Sequence, residues 1–100
     1  MNSLEILQTE RFAKWFAGLG DRQARARIDV RIRRLSLGNP GDVKRVGEGV
    51  SELRIDYGPG YRVYFTRQGD KVVLLLCGGD KGGQSRDIAR AKALAAEWKG

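Results

Sequence analysis

Residues 52–84, Glu52-Leu-Arg-Ile-Asp-Tyr-Gly-Pro-Gly-Tyr-Arg-Val-Tyr-Phe-Thr-Arg-Gln-Gly-Asp-Lys-Val-Val-Leu-Leu-Leu-Cys-Gly-Gly-Asp-Lys-Gly-Gly-Gln84, decide the fold. Leu53 and Ile55 alternate with Glu52, Arg54 and Asp56. After Gly58-Pro59-Gly60, Tyr61, Val63 and Phe65 alternate with Arg62, Tyr64 and Thr66. A period of two places successive side chains on opposite faces of a strand, so both segments read as half-buried strands. Gln68-Gly69-Asp70 is a turn signal. It leads into Val72–Cys77, whose unbroken apolar character suits an inner strand covered on both sides. The glycine-rich run Gly78–Gly83 reads as a flexible loop rather than strand. If the aliphatic sets face the helices, Arg54, Arg62 and Tyr64 share the opposite, exposed face.

Upstream the period is helical. Leu4, Ile6 and Leu7 suggest a short first strand, and Thr9 can cap a helix whose Phe12, Trp15, Phe16 and Leu19 make one stripe. Gly18 and Gly20 end it. Asp21 can start a second helix with Ala24, Ile28, Ile32 and Leu35 inside, and Arg22, Arg25, Arg27, Arg31, Arg33 and Arg34 outside. Gly38-Asn39-Pro40-Gly41 stops it, and the period changes to two from Val43. A last helix from about Ser85 puts Ile88, Ala91, Ala95 and Trp98 on one side. The expected architecture is α+β, in the order β-α-α-β-β-β-α: a twisted, mostly antiparallel sheet with a helical hairpin on one face and a C-terminal helix. One hundred residues without repeat or linker make a single domain, 1–100.

Composition narrows the chemistry. Nineteen Lys and Arg against 12 Asp and Glu give a net charge of +7, a field that attracts polyanions: nucleic acid, the ribosome or an acidic protein partner. Histidine is absent, which removes Ser–His and Cys–His nucleophile pairs and histidine acid–base catalysis. No metal site or cofactor is called for. The single cysteine, Cys77, closes an apolar run and reads as a small buried side chain. That run is too short to span a bilayer, and the first residues lack the pattern of a secretion signal, so no membrane is expected and the expected compartment is the cytoplasm.

The blocks Leu53-Arg54-Ile55, Gly60-Tyr61-Arg62-Val63-Tyr64 and Asp80-Lys81-Gly82-Gly83-Gln84, in this order and spacing, resemble the RelE/ParE superfamily of toxins. Within it, the nearest likeness is to HigB-like addiction module killer proteins related to a phage protein. The resemblance runs from about Leu4 to Leu94. It implies the toxin of a type II toxin–antitoxin system, an endoribonuclease that cuts mRNA, commonly on the ribosome, without a metal. The RNA 2′-hydroxyl would attack the adjacent phosphate, leaving a cyclic phosphate and a free 5′-hydroxyl. It also implies a cognate antitoxin, often a small helix-turn-helix DNA-binding protein encoded nearby.

By position, the resemblance assigns catalysis to Arg54, Arg62 and Lys81. A guanidinium holds two phosphate oxygens at once, so Arg62 is expected to clamp the phosphate, Arg54 to steer the backbone and Lys81 to stabilise the leaving oxygen. Tyr64 and Gln84 are expected to contact RNA, and Arg31 and Arg34 of the second helix to grip it more distantly. The plainer alternatives are that Arg54 pairs with Glu52 or Asp56, that Tyr64 packs across strands, that Gln84 initiates a helix, and that the helix arginines form a solvated face. Family members often carry a Tyr or His late in the chain for proton transfer, where this chain has Gln84, Ser85 and Ile88. Two functional alternatives follow: a ParE-like inhibitor of DNA gyrase with no nuclease chemistry, and an RNA-binding remnant without catalysis.

Overall fold

A computed structural model describes residues 3–98. The elements are β1 (Glu5–Gln8), α1 (Glu10–Ala17), α2 (Arg22–Ser36), β2 (Val43–Gly47), β3 (Val50–Ile55), β4 (Tyr61–Gln68), β5 (Val72–Asp80), a 3₁₀ turn (Lys81–Gly83) and α3 (Gln84–Glu97). Thr9 caps α1 by accepting the Phe12 amide, and Asp21 caps α2 by accepting the amides of Gln23 and Ala24. The sheet order is β1-β5-β4-β3-β2. β1 runs parallel to β5 and every other pairing is antiparallel, as the mostly antiparallel expectation required.

One strand exceeds the expected order. β2 pairs with β3 across the Gly47-Glu48-Gly49 turn, where all three residues take positive φ. Its two apolar residues, Val43 and Val46, are three apart, and the register slips between Arg45 and Gly47. That slip breaks the two-residue period by which a strand is recognised.

The sheet is covered on both faces. The α1–α2 hairpin packs Phe12, Ile28 and Leu35 on Leu53, Ile55, Val63, Phe65, Val73 and Leu75. On the other face α3 brings Ala91 and Ile88, and its C-cap Trp98 follows, against Val50, Tyr64, Leu74, Leu76 and Cys77. The face expected to be open therefore carries a second core. Tyr64 is fully buried and Arg62 is only 7% exposed.

A second correction concerns the glycines. Gly78, Gly79 and Asp80 continue β5 rather than forming a loop. Leu76 is the extra residue of a bulge, since Tyr64 faces Cys77 while Phe65 faces Leu75. This shift of parity turns Gly78 toward α1 and Gly79 toward α3. A Cβ at Gly78 would sit 2.3 Å from the Trp15 ring, and one at Gly79 would sit 2.0 Å from an Asp87 carboxylate oxygen. The glycines are there because both helices touch the strand backbone, not because the segment is loose.

Candidate functional site

The turn between β3 and β4 brings the arginines together. Gly58 and Gly60 take left-handed φ of 56° and 84°, and the Gly60 amide bonds the Tyr57 carbonyl at 3.0 Å. The resulting register sets Arg54 directly opposite Arg62, and Glu52 opposite Tyr64. All four side chains share the α3 face, as their sequence parity requires. Their surroundings differ sharply. The Arg54 side chain is 40% exposed and lies 3.8 Å from Asp42, while Arg62 is enclosed.

Glu52 is the centre of the enclosed group. It is wholly buried, accepts the Tyr64 hydroxyl at 3.0 Å and the Gln84 amide at 2.7 Å on one oxygen, and holds Arg62 Nε 3.7 Å from the other. At that distance the Arg62 contact is Coulombic rather than a hydrogen bond, and neither Nε nor Oε1 has a hydrogen-bond partner. Arg62 Nη1 makes long bonds of 3.4 and 3.3 Å to the carbonyls of Gly60 and Tyr61. The guanidinium thus has its charge balanced at Nε and its outer nitrogens weakly held. Burial, and then Glu52, raise the Tyr64 hydroxyl far above the ordinary phenol value, so it remains a neutral donor. The expected exposed RNA contact at Tyr64 is corrected accordingly: it is a cross-strand packing residue that fixes Glu52.

Lys81 follows β5 directly. The Asp80 carboxylate accepts the Gly82 amide at 2.8 Å, which closes the 3₁₀ turn and leaves Lys81 exposed. Arg62 Nη1 lies 3.6 Å, and Lys81 Cδ 3.9 Å, from the point where a Gly60 side chain would begin. Arg54, Arg62 and Lys81 are therefore grouped at one end of the sheet, with Gln84 donating to the Glu52 carboxylate from the first turn of α3.

The second-helix arginines separate. Arg31 donates to the carbonyls of Arg54, Pro40 and Asp42, and so ties α2 to the start of β2 and the end of β3. Its desolvation lowers its pKa, with Asp42 opposing and Arg34 adding to the shift. Expected to touch RNA, Arg31 instead holds the strand that carries Arg54. Arg34 is exposed. Two turns earlier on α2, Arg27 stacks over the Tyr57 ring at 4.7 Å.

Sequence reasoning assigned Glu52 no role beyond pairing with Arg54. The available signal was its parity with Arg62 and Tyr64, but the covering helix that makes it a buried hub lies 32 residues away. Asp87 was also missed. It is 6% exposed and lies 3.6 Å from Arg90, and desolvation raises its carboxyl above the usual range against the pull of Arg86 and Arg90.

A model of the phage-derived Gp49-like protein family (DUF891) matches residues 14–97. An uncharacterized protein of Haemophilus influenzae is 50% identical over 95 residues, covering 95% of this chain and 96% of its own length. Among solved structures, a double arginine-to-alanine mutant of the Escherichia coli toxin RelE in the free state superposes with a TM-score of 0.72, over 96% of this chain and 99% of the other, at 15% identity.

Proposed function

Because the chain belongs to the phage-derived Gp49-like family and has the RelE fold, we propose that it is the toxin of a toxin–antitoxin pair and acts as a metal-independent endoribonuclease on mRNA. The observation that carries the reading is the grouping of Arg62, Lys81 and Arg54 at one sheet end, with the Arg62 guanidinium held from behind by a buried carboxylate. Attack of a 2′-hydroxyl on the adjacent phosphate builds charge on the phosphate oxygens. The outer nitrogens of Arg62 meet two of those oxygens, while Glu52 keeps the group oriented without competing for them. Lys81, on the turn beyond β5, neutralises the departing 5′-oxygen. Arg54, on the neighbouring strand and more exposed, guides the RNA backbone. Gln84 and Tyr64 position Glu52 rather than touching RNA. mRNA, met on the ribosome, is the substrate of this activity, and an antitoxin is the partner that silences it.

The test is expression of the wild type and of Lys81→Met, Arg62→Lys and Arg62→Ala, with RNA 5′-end mapping and growth as readouts. The wild type arrests growth and leaves 5′-hydroxyl ends at codon-linked breaks. Loss of the Arg62 clamp lowers cleavage about 10²- to 10³-fold, and lysine restores little because it cannot bind two oxygens. Lys81→Met changes an exposed residue, so its loss of cleavage cannot be blamed on unfolding. Undiminished cleavage by Arg62→Ala would overturn the assignment. A second reading, inhibition of DNA gyrase by contact alone, is favoured by the burial of Arg62 against Glu52. It predicts DNA damage with intact mRNA.

A further inference from the structure

Strand β5 outruns its neighbour. β1 pairs with it only from Val72 to Leu75, after which the chain turns into α1 and the Thr9 amide and hydroxyl bond the carbonyls of Leu75 and Leu76. From Cys77 to Asp80 this side of β5 meets no strand among the described residues. α1 flanks one face of that free edge, with Trp15 over Gly78. α3 flanks the other, with Asp87 against Gly79. Between the two helices lies a cleft of about 700 Å³ that holds Arg11 and Lys14 from α1 and Arg86 and Arg90 from α3.

The cleft is not simply basic. Lys14 is paired with Glu10 at 3.0 Å, Arg90 with Asp87 at 3.6 Å, and Asp80 lines the floor. Arg11 and Arg86 form no ion pair among the described residues, and both are exposed. A polyphosphate would meet three carboxylates here, at a cost for each approach. An extended peptide carries a neutral backbone and can place charge only where a free cation waits. A strand edge with unpaired backbone groups recruits such a peptide by main-chain hydrogen bonds, and side-chain contacts then select it.

We propose that the Cys77–Asp80 edge of β5 accepts an extended acidic segment of a partner protein as a sixth strand, one carboxylate meeting Arg11 and another meeting Arg86. Because α1 and α3 lie on opposite faces of the sheet, the two acids must point to opposite faces. They are therefore adjacent or an odd number of residues apart. The site does not depend on RNA cleavage and involves neither Arg62 nor Lys81. In the toxin reading, the segment belongs to the antitoxin.

The full chain, labelled with nitrogen-15, is titrated with two capped octapeptides. Ser-Thr-Val-Glu-Asp-Val-Thr-Ser has adjacent acids, and Ser-Thr-Glu-Val-Asp-Val-Thr-Ser has acids two apart. The first is expected to bind about tenfold more tightly, the worth of one charge-assisted contact, and to slow hydrogen exchange of backbone amides between Cys77 and Asp80. Arg11→Glu and Arg86→Glu each weaken it about tenfold or more, with the unfolding midpoint unchanged. Arg11→Gln and Arg86→Gln keep the test open if charge reversal disturbs folding. Equal binding of the two peptides, unchanged exchange at 77–80, or hexauridylate slowing those amides more effectively than the first peptide would each overturn the proposal.

Discussion

Removing both partners of the buried Glu52–Arg62 pair should cost no more than removing either one alone. Both side chains are enclosed, 0% and 9% exposed. Breaking such a pair from one side strands a charge in the interior, at ~3–5 kcal/mol. The 3.7 Å separation, and the bonds from Tyr64 and Gln84 that survive on Glu52, place the loss near the lower end. Glu52→Gln and Arg62→Met are thus each expected to lose ~3 kcal/mol. For a domain of this size that is a fall in unfolding midpoint of roughly 12–24 °C. Independent costs would make the double variant lose ~6 kcal/mol, most of an ordinary domain's stability. Coupling should hold it to ~3 kcal/mol, because a neutral pair of similar volume strands no charge. Thermal and urea unfolding of the wild type, both single variants and the double variant form the cycle. RNA cleavage is read alongside, and the double variant should be folded yet inactive. Additive losses would refute the coupled pair. A double variant that still cleaves would refute the role of Arg62.

Other consequences are as direct. The Asp87 carboxyl has a raised folded value, so the native state binds its proton more tightly than the unfolded chain does. Its contribution to stability is full below the ordinary carboxylate value and is lost as pH rises through the raised one. Asp87→Asn should flatten that decline in urea unfolding, and an unchanged slope would refute it. Gly79→Ala puts a methyl group 2.0 Å from the Asp87 oxygen. It should displace the start of α3 and lower stability by ~1–3 kcal/mol, read by circular dichroism, with Gly20→Ala as a contrast where an added methyl meets nothing within 4 Å and φ is not left-handed. Burial, and then Asp87, push the Cys77 thiol up to about 11. Iodoacetamide at pH 8 should therefore label native protein far more slowly than unfolded protein, as mass spectrometry would report.

Much of the fold could be read from local pattern. Thr9 and Asp21 carry their own capping chemistry, and the apolar spacing of both helices and of β3 and β4 is visible within a few residues. β2 was obscured by its bulge, and the end of β5 by glycines, which statistically signal loops. Their reason is a contact with Trp15 and Asp87, distant in sequence or in another element. The grouping of Arg54 with Arg62 followed from strand parity. The closing of that face by α3 did not.

The chain's alternating residues determined, unaided, which side chains share a face of the sheet, because a strand's geometry is local. Whether that face meets water was decided only when Ile88, Ala91 and Trp98 settled on Val50, Tyr64 and Leu76. That packing turns Glu52 into a buried anchor and Arg62 from a surface cation into a held one. Burial depends on what arrives from elsewhere in the chain, and no periodicity within β3 or β4 encodes it.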